Sequence, residues 1–186
     1  MSLPYGQGSL DKTRRTGALR RPFLRLPAKI GLAVLAAALA AALLWGLTRP
    51  RLAVIAESGL LASCPAEAGT EFSTRFIHSV QKTPVEEFFT VNEARDGFLL
   101  LRTRYHSFGV GLPFLPTDGT FRREGDAFVM DGMNRPMPEI QFRPGLSTDL
   151  KITLPGEEIL LADHVPLGSL VRVAIVPRLR IFLRAW

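Results

Sequence analysis

Residues 76–89 read FIHSVQKTPVEEFF, and the predicted fold is built around this segment. Proline cannot donate a hydrogen bond to a neighbouring strand, so Thr83 and Pro84 mark a turn between two extended runs. Side chains alternate between the two faces of a strand, and each run therefore has one inward set. The inward sets are Phe72, Thr74, Phe76 and His78 before the turn, and Val85, Glu87, Phe89 and Val91 after it.

The predicted hairpin has one histidine and one carboxylate on an otherwise apolar face. A charged group on such a face costs free energy unless it is paired, and His78 and Glu87 are the available partners. We therefore predict that these two side chains are buried and hydrogen-bonded to each other. The two side chains either belong to a functional site or form a structural pair that compensates the cost of burying each of them. The sequence leaves both interpretations open.

A further run, residues 98–105, is expected to be a strand with two distinct faces. Alternation separates its arginines from its apolar and hydroxyl side chains. One face is predicted to hold Leu99, Leu101, Thr103 and Tyr105, and the other Arg102 and Arg104. A second hairpin is predicted at Pro155 and Gly156, between residues 150–154 and 158–162.

The region from residue 51 to residue 186 alternates throughout between short extended runs and turns. It holds ten prolines, which work against long helices, and its polar and apolar residues show no long helical period. We therefore predict an all-β fold, a compact antiparallel sandwich or barrel of about seven to ten strands. One N-terminal transmembrane helix is expected to precede it.

That helix is predicted from residues 30–47, which read IGLAVLAAALAAALLWGL and carry no charge. In helical form they span about 27 Å, near the lower limit for crossing a bilayer. Residues 1–49 hold eight lysines and arginines against one aspartate, whereas the remainder is close to neutral. The positive-inside rule then predicts a single-pass inner-membrane protein with a cytoplasmic N-terminus and a periplasmic C-terminal domain.

The chain is accordingly divided into a basic cytoplasmic tail (residues 1–29), a transmembrane anchor (30–48) and an exported β-domain (51–186). An export signal is the other interpretation of the apolar segment, since residues 54–56 resemble a cleavage site and Arg20-Arg21 a twin-arginine signal. The apolar run is longer than most signal cores, so we expect a retained anchor. The near-neutral body argues against a nucleic-acid-binding domain, which would need a basic patch of its own.

The sequence offers little for catalysis or metal binding. Cys64 is the single cysteine, so no disulfide can form within the chain. A Ser–His–acid triad can be drawn from Ser79 or Ser107 with His78 and Glu87, but no G-x-S-x-G elbow is present. The histidines lack the close spacing of a metal motif; they are His78, His106 and His164. We predict a non-catalytic protein with no metal and no cofactor.

Residues 108–115 read FGVGLPFL and form an unusually apolar loop. Gly109 and Gly111 suit backbone that adopts unusual dihedral angles or closely approaches a neighbour. The remaining side chains are almost all apolar, including Phe108, Leu112 and Pro113. Such a loop either closes the core or presents a surface for a partner, and both interpretations stay open.

Two blocks of this sequence resemble the family called domain of unknown function 1850. In that family an aromatic-rich Y-I-H-S-V-x-x-T-P-V-x-E block precedes an F-G-x-G-L-P block on a short exported β-domain. Phe76 stands here in place of the usual tyrosine, and the resemblance covers roughly residues 51–178. The matching residues are His78, Ser79, Thr83, Pro84 and Glu87 in the first block, with Phe108, Gly109, Gly111, Leu112 and Pro113 in the second.

The resemblance implies a context rather than a reaction. Members of the family typically carry an N-terminal membrane segment, and they are commonly encoded beside TAXI-type tripartite ATP-independent periplasmic transporters. The expected function is a membrane-anchored periplasmic accessory subunit of such a transporter, in contact with its permease, its periplasmic binding protein or both. The alternatives are a free-standing envelope domain that binds a small ligand, and a hydrolase that uses His78 and Glu87.

Overall fold

The computed structural model describes residues 28–107, 112–113, 115 and 117–183. Two α-helices, eleven β-strands and a 3-10 helix over Leu161–Asp163 are present in these residues. In chain order they are α1 (Ala28–Thr48), β1 (Pro50–Ala56), β2 (Gly59–Pro65), β3 (Glu71–Ile77), β4 (Pro84–Val91), β5 (Phe98–Tyr105), β6 (Thr120–Glu124), β7 (Ala127–Met137), β8 (Ile140–Phe142), β9 (Lys151–Leu154), β10 (Glu157–Leu160), β11 (Val171–Pro177) and α2 (Arg178–Phe182).

Helix α1 is long and apolar enough to cross a membrane. It has 21 residues, none of them buried in the protein. At the usual rise per residue it extends about 32 Å, which matches the hydrocarbon core of a bilayer. The predicted apolar helix is therefore present, and it begins slightly earlier than the sequence pattern indicated.

The strands form two antiparallel sheets. The small sheet has the order β2-β1-β11-β8, and the large sheet has the order β10-β9-β3-β4-β5-β7-β6. Strands β10 and β6 lie at the two edges of the large sheet, so the described strands form a sandwich-like pair of sheets rather than a closed barrel. The predicted all-β class is confirmed.

The core is built from the inward faces of the two sheets. The ring of Phe72 stacks on that of Phe89 with centroids 5.0 Å apart, and meets Phe98 edge-on at 4.9 Å. Aromatic pairs in these arrangements each contribute about 0.5–1.5 kcal/mol beyond their burial. Burial also raises the pKa of the Cys64 thiol, which keeps it protonated at neutral pH.

The hairpin predicted from residues 76–89 is confirmed. Strands β3 and β4 pair antiparallel, with Phe72 opposite Phe89 and Thr74 opposite Glu87. Phe72, Thr74 and Phe89 are buried, as the alternation predicted for an inward face. The second predicted hairpin is also present, formed by β9 and β10 around Pro155 and Gly156.

The prediction for the faces of β5 was correct after residue 101 and wrong before it. Phe98 and Leu100 are buried together with Thr103 and Tyr105, although the two pairs differ in parity. The reason is a β-bulge, because β4 pairs Phe89 with Leu100 but Phe88 with Arg102, which leaves Leu101 without a partner. One extra residue inverts the inward and outward sides of a strand.

Candidate functional site

The two sequence blocks meet at one end of the large sheet. The hydroxyl groups of Thr83 and Ser107 lie 3.4 Å apart, which joins the β3–β4 turn to the residues after β5. The buried Tyr105 donates a hydrogen bond from its hydroxyl to the carbonyl oxygen of Pro113 at 2.6 Å. We call this group of turn and loop residues the motif cluster; its members are His78, Ser79, Thr83, Pro84, Tyr105, Ser107 and Pro113.

His78 holds the turn of the motif cluster. Its Nδ1 atom accepts hydrogen bonds from the backbone N–H groups of Val80 (3.3 Å) and Gln81 (3.2 Å). Its backbone N–H donates to the carbonyl oxygen of Thr83 at 2.9 Å. Because Nδ1 is an acceptor, the neutral ring carries its proton on Nε2. In this geometry His78 positions the backbone, and Ser79 beside it is exposed.

The predicted hydrogen bond between His78 and Glu87 is wrong. Thr74 stands directly across from Glu87 and donates to its Oε2 at 3.2 Å. His78 lies four residues further along the chain, about 13 Å at the rise of a strand. Shared parity placed the two residues on one face, but the register of the hairpin separates them. His78 is half-buried and caps its own turn instead.

Glu87 has two hydroxyl side chains as its neighbours across the strands. Thr74 on β3 and Thr103 on β5 flank it in register, and each of them is only 1% exposed. Burial raises the pKa of Glu87, while the Thr74 hydrogen bond and the charge of Arg135 oppose that shift. The result is a carboxyl group on the inward face that binds a proton more readily than an exposed glutamate does.

The second block is described only in part. Phe108, Gly109, Gly111 and Phe114 lie outside the described residues, so the two interpretations of the apolar loop are not decided. Leu112 and Pro113 are half-buried, whereas Leu115 is 49% exposed. The backbone of Leu115 is fixed by a hydrogen bond from its N–H to the carboxylate of Asp118 at 3.1 Å.

A second candidate site lies on the outward face of the large sheet, which the sequence did not single out. A groove of about 720 Å³ opens there over the bulge at Leu101. Its lining combines apolar and charged side chains. The lining includes Phe88, Leu101, Arg102, Asp131, Pro155 and Glu71.

Arg102 is the positively charged residue among those that line the groove. Its guanidinium lies 3.9 Å above the ring of Phe88, and its Nε atom is 3.9 Å from a carboxylate oxygen of Asp131. The other oxygen of Asp131 accepts a hydrogen bond from Arg122 Nε at 2.6 Å. The Nε atom of Arg102 is buried and has no hydrogen-bond partner among the described residues.

Comparison with known proteins identifies the segment that contains both sites. The family described as Domain of unknown function (DUF1850) matches residues 72–161. This part of the chain is a DUF1850 domain. Neither the curated proteins nor the solved structures with which the chain was compared contain a match.

The DUF1850 domain coincides with the large sheet. The matched residues include all seven strands of the large sheet, except for Glu71 at the start of β3. Strand β8 is the part of the small sheet that they include. Strands β1, β2 and β11 lie outside the matched residues. The motif cluster and the groove are therefore both features of the DUF1850 domain, at its end and on its outward face.

The sequence predicted the residues of the motif cluster but missed the groove. Residues 99–101 are three consecutive leucines, so the alternation that would reveal a bulge is hidden there. In the structure Phe98, Leu100, Thr103 and Tyr105 are all buried, although the two pairs differ in parity and could not share a face in a regular strand. The sequence gives no sign of this, because either parity places a leucine on each face.

Proposed function

We propose that the protein is a membrane-anchored, non-catalytic accessory subunit of a TAXI-type tripartite ATP-independent periplasmic transporter. The observation that supports this most directly is the short join between membrane helix and β-domain. Helix α1 ends at Thr48 and β1 begins at Pro50, so only Arg49 separates them. A domain attached in this way stays at the membrane surface, where its partners are membrane proteins or proteins that dock on them.

The join is also held by contacts on the domain side. Pro50 pairs with Pro177 at the end of β11, and the N–H of Arg178 donates to the carbonyl oxygen of Arg49 at 2.9 Å. The guanidinium of Arg49 lies 4.2 Å above the ring of Trp45. Tryptophan is enriched at the membrane–water interface, so these contacts favour an interfacial position for the end of α1.

Helix α1 offers a surface for a partner helix. None of its residues is buried within the protein. Small residues recur at intervals of four, and a helix with such a stripe can be approached closely by another helix. The two stripes are Ala33, Ala37 and Ala41, and Ala38, Ala42 and Gly46.

The motif cluster provides a second surface within the same chain. Its turn is fixed by the hydrogen bonds of His78, yet it leaves Ser79 exposed and Val80 exposed to 74%. A rigid turn with an exposed apolar side chain is suited to contact with a partner protein. Two modest contacts in one chain reinforce each other through effective concentration, so neither has to be strong.

The test is affinity purification of the tagged full chain from membranes of its own host in a mild detergent, followed by mass spectrometry. We expect the permease or the binding protein of a TAXI-type transporter to be enriched. A variant Ala37→Phe should reduce that enrichment, because the ring blocks close helix approach. Leu39→Phe, which adds the same ring on another face of α1, is the matched control.

Two results would count against the proposal. Enrichment of no transporter component, compared with an unrelated single-pass protein purified in the same way, would reject the accessory-subunit function. Recovery of the transporter at the same level with Ala37→Phe as with Leu39→Phe would reject the small-residue stripe as the contact, and would move the interface to the β-domain.

A further inference from the structure

The short helix α2 lies at the end of the β-domain where the chain leaves α1. Strand β11 ends opposite the start of β1, with Pro177 paired to Pro50. The first residue of α2, Arg178, donates its backbone N–H to the carbonyl oxygen of Arg49, the residue that follows α1. Residues 40–48 of α1 belong to the same compact unit as the β-domain, so these contacts fix α2 beside the end of α1.

Helix α2 has one side against the small sheet and another side turned away from it. Ile181 packs on a buried cluster on the outward face of that sheet. The cluster consists of Ala53, Ile55 and Val176. The N–H of Leu183 donates to the carbonyl oxygen of Leu179 at 2.9 Å, which continues the helical turn to Leu183. Residues at intervals of three and four share one side of a helix, so Leu179, Phe182 and Leu183 lie together, away from Ile181.

The side of α2 that is turned away from the sheet is apolar and exposed. We call Leu179, Phe182 and Leu183 the apolar face of α2. Phe182 is 78% exposed and Leu183 is 62% exposed, and Leu179 is the least exposed of the three at 38%. Large apolar side chains grouped on a surface indicate contact with a partner or a membrane.

Arginines flank the apolar face of α2. By helical spacing Arg178 and Arg180 lie on either side of it, and both residues are exposed. The sequence around them is strongly basic, since residues 164–186 hold four arginines and no acidic residue. Arginines beside an apolar face can reach lipid phosphates while their apolar neighbours enter the lipid layer.

The acidic side chains near this surface are outnumbered by arginines. Two shallow depressions border it, and among the described residues each is lined by two arginines and one glutamate. They are Arg172, Arg180 and Glu139 at α2, and Arg49, Arg95 and Glu67 beside Trp45. Within the second depression Arg95 and Glu67 lie 3.6 Å apart. Each depression keeps a positive charge, so the surface is complementary to an anionic partner.

The partner that these observations favour is the membrane that α1 enters. Tryptophan prefers the membrane–water interface, so a bilayer crossed by α1 has its surface near Trp45 and Arg49. The backbone of α2 is bonded to Arg49, which brings its apolar face close to the lipid headgroups. The attraction between arginines and anionic lipid acts over about 8–10 Å at physiological salt, so it reaches α2 there.

We propose that α2 docks on a bilayer that contains anionic phospholipid. The apolar face of α2 enters the headgroup region, and Arg178 and Arg180 bind lipid phosphates. This proposal rests on the membrane anchor of the proposed function and not on the transporter. Docking fixes one orientation of the β-domain on the membrane, because α2 provides a second attachment beside the end of α1.

The test places the full chain in lipid nanodiscs with a single tryptophan as the reporter. Phe182→Trp is combined with Trp45→Phe and Trp186→Phe, so the fluorescence comes from α2. The quencher is phosphatidylcholine brominated in the upper part of its acyl chains. We expect strong quenching in discs that also contain phosphatidylglycerol. Quenching should be weaker in phosphatidylcholine alone and at high salt, because salt screens the attraction of the arginines.

Leu146→Trp, with the same two tryptophan replacements, is the matched control for the reporter. Leu146 is 80% exposed and lies in the segment between β8 and β9. That segment is bonded to the end of β3, where the N–H of Ile77 donates to the carbonyl oxygen of Thr148. A tryptophan at this position should not be quenched in either kind of disc.

The contribution of the arginines is measured with Arg178→Gln and Arg180→Gln together in the reporter chain. Each arginine near an anionic surface favours docking by about fivefold, so the pair should lower the docked-to-undocked ratio by more than tenfold. Arg123→Gln with Arg143→Gln is the matched control. These two exposed arginines donate to main-chain carbonyl groups elsewhere in the domain, and their loss should leave quenching unchanged.

Three results would overturn the proposal. In discs with phosphatidylglycerol, the reporter at position 182 could be quenched no more than the one at position 146. The two arginine pairs could have equal effects. Quenching could be the same with and without phosphatidylglycerol, which would show apolar contact without recognition of anionic lipid. The comparison of lipids and salt uses one variant, so it stays valid if an arginine pair fails to fold.

The same experiment separates this proposal from the proposed function. A chain that does not enter nanodiscs would reject the membrane anchor, and docking of α2 with it. A chain that enters them without quenching at position 182 would reject docking alone. The nanodiscs contain no transporter, so neither result depends on a transporter component.

Discussion

At the scale of single residues, the most informative side chain is Glu87. It lies on the inward face between Thr74 and Thr103, and it accepts a hydrogen bond from Thr74 at 3.2 Å. Burial raises its pKa above the ordinary value of 4.5, so the folded protein binds this proton more tightly than the unfolded chain does. The stability that comes from this group is therefore complete below pH 4.5 and is lost as the pH rises through the raised pKa.

This linkage predicts the effect of Glu87→Gln. The amide has the shape of the protonated acid and can still accept from Thr74, but it carries no charge that burial would penalise. The variant should melt at a higher temperature than the wild type at pH 7, and the difference should shrink as the pH falls toward 4.5. Circular dichroism melts over that pH range provide the measurement.

Glu86→Gln is the control for this prediction. Glu86 lies on the opposite face, where its carboxylate is shared by Arg75 and Arg104. Its neutralisation should leave stability unchanged or lower it by up to about 1 kcal/mol, the usual value of a surface ion pair. A gain in stability for Glu86→Gln equal to that for Glu87→Gln would show that general charge reduction, not burial, explains the result.

At the scale of elements, the bulge of β5 decides which residues of the large sheet face outward. It places Arg102 on the groove side and Thr103 in the core. Beside it, Gly119 has a φ of +153° and packs against the main chain of Asp131. A Cβ at Gly119 would overlap the carbonyl oxygen of Asp131, which is backbone and cannot move aside cheaply.

Gly119→Ala should therefore destabilise the domain by roughly 1–3 kcal/mol, from strained backbone and the overlap together. The measurement is a urea denaturation curve of the full chain in detergent. Gly125→Ala is the matched control, because Gly125 also has a positive φ of 62° but nothing within 4 Å of its Cβ position. It should lose about 1–2 kcal/mol from the left-handed backbone alone, less than Gly119→Ala loses. Equal losses for both variants would mean that contact with Asp131 plays no part.

At the scale of the whole molecule, the main feature is the order of its segments along the chain. A basic N-terminal arm precedes one apolar helix, and a near-neutral β-domain follows it almost without a linker. These features together favour an orientation with the N-terminus in the cytoplasm. In the orientation that we propose, the matched DUF1850 domain lies on the outer side of the membrane and faces the periplasm.

The orientation is testable with paired reporters fused after Trp186. An alkaline phosphatase fusion should be active, since that enzyme requires export, whereas a green fluorescent protein fusion exported in unfolded form should be dark. The same fusions placed after Lys29 should give the opposite result. Fluorescence from the fusion at the C-terminus would show that the β-domain is cytoplasmic, contrary to the orientation proposed here.

The features that depend on local chemistry could be predicted from the amino-acid sequence. An uncharged run predicted the apolar helix α1, which is long enough to cross a membrane, and alternation with a proline at the turn predicted the β3–β4 hairpin and its inward face. The motif residues also indicated the family, whose match covers the shorter segment 72–161. Each of these follows from neighbours in the chain, because period and turn chemistry act over a few residues.

The pairing of residues across strands became known from the folded structure and not from the sequence. Strand alternation placed His78 and Glu87 on one face of the hairpin. The register of β3 and β4 instead pairs Glu87 with Thr74, and His78 accepts a hydrogen bond within its own turn. Alternation also missed the bulge at Leu101, and with it the groove and the buried Nε atom of Arg102, which has no hydrogen-bond partner among the described residues. Register and bulges depend on how whole strands align, so no short stretch of sequence contains them.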